Sequence, residues 1–307
     1  MKAPLVSVVC LCYNHARFVE EAIHSVLNQT HSNIELIVVD DHSSDNSVEI
    51  VKEIIRGQPI ELIALESNLG NCSAFNIGLK RAKGDFIIDL AADDVLLPER
   101  IERGVQIFES VGNDVGVHFG DAELIDENGT RLGYHSDHFP HDSIPQGDIY
   151  SQILSRYFIN SPTMMIRRQV FEMLGGYDGS LGYEDFDFWV RSSRIFKYCY
   201  SREPLVKTRM LSTSLGQQQY RYGSSQLRST LTVCRKAFEL NKTRDEHVAL
   251  KKRILYEMRM ALFLGEIKIG WAYLRLWGRT RNPKPETRNP KQRPVHFLLS
   301  SPVTMLT

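Results

Sequence analysis

Apolar residues run almost without a break from Leu5 to Cys12, many of them β-branched. That pattern predicts a strand buried on both faces, as in a parallel sheet. Phe18, Val19, Ala22, Ile23, Val26 and Leu27 then recur at helical spacing. The alternation repeats. Ile34 to Val39 is a second buried strand ending at Asp40-Asp41, and Ser43, Ser44 and Asp45 offer caps to a helix through Ile54-Ile55. Ile60 to Leu65 is a third strand, Asn68 to Asn71 a turn, and Ser73 to Ala82 a helix. Phe86-Ile87-Ile88 leads a fourth strand into Asp93-Asp94, and Pro98 opens a helix to about Val111. This β-α repetition predicts an α/β fold with a Rossmann-like, mostly parallel sheet flanked by helices.

Beyond it the pattern loosens. Val115 to Phe119 reads as a strand, and Asp126 to Gly147 as a long polar loop punctuated by His135, His138 and His141. Thr163 to Ile166 suits a strand in a mixed sheet, Glu184 to Ile195 a helix, and Tyr198 to Met210 one or two strands. From about Gln217 the chain turns helical and basic: Lys242 to Thr307 holds 14 Lys and Arg against 5 Asp and Glu. Residues 216–281 therefore read as a basic amphipathic extension to a domain spanning 1–215, and 282–307 as an irregular Pro-rich tail. The extension has two readings, docking on an anionic membrane or packing on the preceding domain.

Composition narrows the class. The 307 residues are 42% hydrophobic, enough for a sizeable core, and Lys plus Arg equals Asp plus Glu, so net charge gives no pull toward nucleic acid. Five scattered cysteines argue for a reducing compartment, and none is placed for zinc. The short apolar N-terminal run has no small-residue cleavage site, and no segment reaches the roughly 18 uncharged residues of a spanning helix. The expectation is a cytoplasmic protein, with any membrane contact peripheral, on the cytoplasmic face of the inner membrane.

In an open α/β sheet, ligands bind beyond the carboxyl ends of the strands. Tyr13-Asn14, Asp40-Asp41 and Asp93-Asp94 would line that rim. Neither a Gly-x-Gly-x-x-Gly nor a P-loop motif occurs. Acids there can accept hydrogen bonds from a base or ribose and hold a divalent cation against phosphate. Oxygen-only ligands point to Mg2+ or Mn2+. Either acid of Asp40-Asp41 can instead cap the turn before Ser43-Ser44, and Asp93-Asp94 can cap the Pro98 helix.

The stretches Val6 to Asn14, Ser25 to Thr30 and Ile37 to Ser47 resemble family 2 glycosyltransferases of the GT-A fold. So do Asn68-Leu69-Gly70, Ala74 to Gly78, Lys83-Gly84-Asp85, Ala92-Asp93-Asp94, Gly176-Tyr177-Asp178 and Tyr183-Glu184-Asp185. The match runs over about residues 5 to 215, with its motifs in order. The resemblance implies a nucleotide-diphosphate-sugar donor, a UDP-sugar first among candidates. It implies a donor half over about 1–95 and an acceptor half over 96–215. Asp41 would contact the base, with Tyr13 and Asn14 completing that pocket. Asp94 would bind the metal on the diphosphate, supported by Asp93. Asp185 would deprotonate an acceptor hydroxyl, with inversion at the sugar. Glu184 and Asp187 compete for that role, because a helix N-terminus favours any acid.

Two departures stand out. Lys207 to Ser212 lacks the histidine that many relatives carry there, leaving Arg209 as a phosphate partner. Gln217 to Tyr222 is only superficially like the signature of processive synthases, so one sugar per encounter is expected, in cell-surface polysaccharide or lipopolysaccharide synthesis on a glycan or lipid-linked acceptor. The competing readings are a catalytically degenerate binding module of a membrane glycan-assembly complex, and a sugar nucleotidyltransferase. The latter needs a Gly-rich basic loop after the first strand, where Tyr13 to Phe18 stands instead.

Overall fold

The structure is a computed structural model and describes residues 3–139, 143–212 and 220–281. His141, the boundary near 215, the Gln217 to Gln219 stretch and the 282–307 tail lie outside the described residues.

All seven residues of β1 (Val6–Cys12) are buried, as its unbroken apolar run requires. Its side chains alternate between two cores. Val6, Val8, Cys10 and Cys12 face one cluster, and Val9 and Leu11 face the other. The chain is thus three layers deep at this strand. β2 (Ile34–Asp40) and β4 (Phe86–Ala91) flank β1 in parallel, and β3 (Glu61–Ala64) adds outside β2. Helices α1 (Val19–Leu27), α2 (Ser47–Ile54) and α3 (Asn71–Arg81) make the crossovers. Strand order reverses at β1, which puts a crevice beyond the carboxyl ends of β1 and β4.

The sheet continues with β8 (Met165–Arg167), β6 (Val115–Ile125), β9 (Lys197–Arg209) and β5 (Val95–Leu96), while β7 (Arg131–Tyr134) pairs with β6. The expected parallel sheet is parallel across β3-β2-β1-β4 and mixed beyond, since β4–β8, β6–β8, β6–β7 and β5–β9 are antiparallel. The Asp126–Gly147 region holds β7 and a 3-10 turn at His135–His138 where a loop was expected. His135 Nε2 lies 3.3 Å from the Phe158 carbonyl oxygen. Helices α4 (Arg100–Ser110), α5 (Tyr150–Ser155), α6 (Arg168–Leu174) and α7 (Asp185–Ser193) cover this half.

Among the described residues three helices follow: α8 (Ser225–Leu240), α9 (Arg244–Phe263) and α10 (Ile267–Arg281). A capping box starts α9, where the Glu246 amide donates to Thr243 Oγ1 and Glu246 Oε2 accepts the Thr243 amide. Leu227, Cys234, Leu250, Ile254 and Tyr273 are buried in the same cluster as Val9, Phe75 and Phe188. Of the two readings of the extension, packing on the preceding domain is therefore realised by its inner faces. All five cysteines are free, and no described helix is long and apolar enough to cross a membrane.

Candidate active site

Three loops meet at the rim and are stitched together by their own polar side chains. Asn14, at φ 57°, accepts the Ser44 amide on its side-chain oxygen at 2.8 Å, and its own amide donates to Ser43 Oγ at 2.8 Å. Asp45 accepts the Ala16 amide at 3.0 Å. Asp40 turns back on its own loop, accepting the Ser43 amide and hydroxyl at 2.8 and 2.6 Å. It is therefore the turn cap that its neighbours Ser43-Ser44 allowed. Asp41 reaches the third loop, where its two carboxylate oxygens accept the Leu69 and Gly70 amides at 2.7 and 2.9 Å. Asn14 and Asp41, expected to line the base pocket, hold these loops together by satisfying backbone donors there. Tyr13 and Leu69 flank Asp41 on the surface, each 48% exposed.

Asp93 and Asp94 follow β4 and differ from the expected order. Asp94 Oδ1 accepts the Arg209 amide at 2.8 Å, continuing by side chain the β5–β9 ladder that pairs Val95 with Lys207. Burial, then the charge of Asp93, push Asp94 well above the usual carboxylate range, against the pull of the Arg209 amide. Asp93 has one loose side-chain neighbour, His15 Nδ1 at 3.8 Å from its Oδ1. That nitrogen of His15 is buried and has no hydrogen-bond partner. Asp93 thus has the looser side-chain contact, while Asp94 spends one of its two carboxylate oxygens on the Arg209 amide.

Arg209 does not present its guanidinium to a ligand. Nε donates to the Asp93 carbonyl at 2.9 Å, Nη1 to the Asp126 carbonyl at 3.2 Å, and Nη2 to Glu21 Oε2 at 2.6 Å. The Phe18 ring lies beneath it at 4.6 Å. In these contacts it acts as a clamp between loops, with all three nitrogens engaged in a buried setting.

The start of α7 separates its three acids. Asp187 is 1% exposed and accepts Arg191 Nε and Lys236 Nζ, each at 2.6 Å. It is an ion-pair centre. Glu184 accepts the Asn71 side-chain amide at 2.6 Å, and burial followed by the charges of Asp185 and Asp89 raise it well above its ordinary value. Asp185 is half-buried, and its buried Oδ1 has no hydrogen-bond partner. Burial raises it to about 6, with Ser161 pulling the other way. Asp89, on β4, accepts the Tyr177 hydroxyl at 3.1 Å and is raised by burial to about 7, with the charge of Asp185 adding to the rise. Asp185 therefore lies near Asp89 on β4, the strand that leads to the Asp93 turn. Asp93 follows Asp89 by four positions, at most roughly 13 Å along the chain.

Among the described residues no three His, Cys, Asp or Glu side chains form a metal-binding group. A divalent cation fits here only in the Mg2+ or Mn2+ manner, on one or two carboxylates plus a ligand's phosphates and water. The freely placed, oxygen-donating Asp93 is compatible with that. His15 and Asp89 were missed by sequence reasoning. His15 adjoins Tyr13-Asn14, and Asp89 is the one charged residue inside an apolar strand, which is the signal that marks it.

The reversed strand order and acid-lined rim, with no phosphate-cradling Gly motif, define an α/β protein of the GT-A type. Solved structures agree in fold. Staphylococcus aureus TarS, residues 1–349 in complex with UDP-GlcNAc, superposes with a TM-score of 0.70 at 16% identity, over 91% of this chain and 81% of that one. The mannosyltransferase PcManGT from Pyrobaculum calidifontis, in complex with GDP-Man and Mn2+, gives 0.58 at 16% identity, over 93% and 77%. The family model for glycosyl transferase family 2 matches residues 7–175, and the chain belongs to that family. An uncharacterized glycosyltransferase from Rickettsia felis is 33% identical over 213 residues, covering 68% of this chain and 35% of the relative. One from Rickettsia prowazekii is 36% identical over 211 residues, covering 68% and 64%. The chain thus spans about a third of the first of these relatives and just under two thirds of the second.

Proposed function

We propose that this chain transfers a sugar from a nucleotide-diphosphate-sugar donor, a UDP-sugar first among candidates, to a hydroxyl of a glycan or lipid-linked acceptor, with inversion. The setting is cell-surface polysaccharide or lipopolysaccharide synthesis. The observation that carries the reading is the division of the acids into two groups along one strand. Asp93 is loosely held at the rim, and Asp185 stands beside Asp89 with one buried carboxylate oxygen unpartnered.

The nucleoside lies between Tyr13 and Leu69, above the loop that Asp41 holds. Asp93 would help hold Mn2+ or Mg2+ beside the diphosphate, and Asp94 with Arg209 keeps that segment in place. When bound, the cation supplies positive charge that offsets the charge developing on the leaving diphosphate. Asp185 takes the proton of the acceptor hydroxyl as its oxygen attacks the anomeric carbon, and the bond to the diphosphate breaks on the opposite face. A base with pKa near 6 is ionised at neutral pH yet basic enough to accept a proton in the transition state. Two separated acid sites suit an in-line displacement, since base and leaving group occupy opposite sides of the sugar.

The test is a panel of nucleotide sugars incubated with the protein and Mn2+. Slow donor hydrolysis that disappears with chelator and falls at least tenfold in Asp93→Asn is the expected outcome. Hydrolysis indifferent to both would remove the metal and Asp93 from the mechanism. Nucleotide binding with no turnover on any donor or acceptor would favour the binding-module reading.

A further inference from the structure

The helices α9 and α10 each carry an exposed stripe besides the apolar face they pack against the rest of the fold. On α10, Ile269, Tyr273 and Leu276 are buried. On the opposite side Ile267, Trp271 and Leu274 are exposed, with Ile267 at 60% and Trp271 at 59%. Those three positions follow i, i+4, i+7 spacing and share a face. On α9, Lys252, Tyr256, Arg259 and Phe263 follow the same spacing on an exposed stripe, and Phe263 is 84% exposed. Phe263 and Ile267 bracket the short turn at Gly265, so the two stripes meet at the tip of the hairpin.

Charge says what this surface suits. Lys252, Arg259, Lys268 and Arg275 are unburied beside these apolar residues and form no ion pair among the described residues. From Val248 to Arg279 the only acids are Glu257, which is buried, and Glu266, which is half-buried and accepts the Gly223 amide. From Val248 to the hairpin tip, with the exposed Asp245 further back on α9, a face with exposed aromatics and cations and no exposed acid has the composition of a helix lying in a lipid headgroup layer. It is poorly suited to a second copy of itself, because stacking two such faces would set like charges together.

We propose that the outer face of the α9–α10 hairpin docks on an anionic membrane surface, with Phe263 and Trp271 entering the headgroup region and the flanking Lys and Arg facing anionic lipids. The proposal rests on the lipid-linked acceptor suggested above, for which it gives the enzyme a place to stand, but its test needs no turnover. The full chain is mixed with vesicles of phosphatidylcholine alone and with vesicles holding roughly one third phosphatidylglycerol, then sedimented at low and high salt. Binding to the anionic vesicles alone, weakened by salt, is expected. The double variants Phe263→Ser with Trp271→Ser, and Lys268→Glu with Arg275→Glu, should each bind at least roughly tenfold less, since apolar burial and charge both contribute. Their thermal unfolding should match the parent, because the altered side chains are exposed.

Absence of binding at low salt, or binding by both double variants equal to that of the parent, would overturn the proposal. So would a concentration-dependent dimer in light scattering that the same variants abolish, which would assign the face to a second copy. Asp185→Asn should bind vesicles like the parent. Donor hydrolysis in the double variants, measured in parallel, separates loss of docking from failure of the glycosyl-transfer reading.

Discussion

Asp185 and Asp187 are two residues apart at the start of one helix, yet only one is tied up in ion pairs. Asp187 joins Arg191 and Lys236, while Asp185 keeps a buried oxygen without a partner. Asp185→Asn should lower transfer by roughly 10^3 at unchanged melting temperature, within the usual range for removal of a general base. Asp187→Asn should do the reverse, costing about 3 kcal/mol in urea unfolding, because it leaves Lys236 and Arg191 without their buried partner. The pH dependence follows from the direction of the Asp185 shift. Only the ionised carboxylate accepts a proton, so activity is full above about 6 and falls roughly tenfold per unit below it. An acid limb near the ordinary Asp value of about 4 would count against Asp185 as the base. The sequence shows three acids in four residues and cannot rank them. The ranking comes from Lys236, 49 positions away, and from Asn71, 113 positions before Glu184.

Elements with strong periodicity were legible, and elements that depend on distant partners were not. The unbroken apolar runs of β1, β2 and β4 announce buried parallel strands by themselves. The two-residue β5 carries no such signal and exists because β9 lies beside it. The parallel pairing of β6 with β9 is likewise a matter of chain path. So is the identity of the freer acid after β4, since it follows from which carboxylate the Arg209 amide meets. Arg209 is the joint among these elements. Arg209→Met should cost about 2 to 4 kcal/mol in denaturant unfolding, through loss of a buried, multiply bonded cation that leaves carbonyls unpaired. Arg209→Lys should recover only part of that, since an ammonium lacks the forked geometry. If Arg209→Met kept parental stability while nucleotide affinity dropped, Arg209 would be a phosphate ligand after all.

For the molecule as a whole, the C-terminal helices are part of the main core, although their composition marks them as an appendage. The sequence shows a basic amphipathic segment but not what its apolar residues cover, because α9 meets α5 about a hundred residues earlier in the chain. Arg194 on one side and Glu246 on the other pair at 2.8 Å, and Tyr183 shares a hydrogen bond of 2.7 Å with Thr230. A chain ended after Ser212 should therefore fail to fold cooperatively, exposing the surface that Leu227, Cys234, Leu250 and Ile254 cover. Circular dichroism melting and solubility would check this. A soluble, sharply melting 1–212 fragment would show that the sheet is self-sufficient.

The reach of Arg209 has a consequence for how the protein is made. Its guanidinium closes on Glu21 across 188 positions of chain. Chains emerge from the ribosome at about 5–20 residues per second, so the rim loops wait on the order of 10 seconds or more before the last strand arrives to lock them. During that interval the nascent chain carries every acid of the site without their final arrangement. Donor binding should thus appear only once β9 and the helices that close the core behind it are complete, as a late event of synthesis.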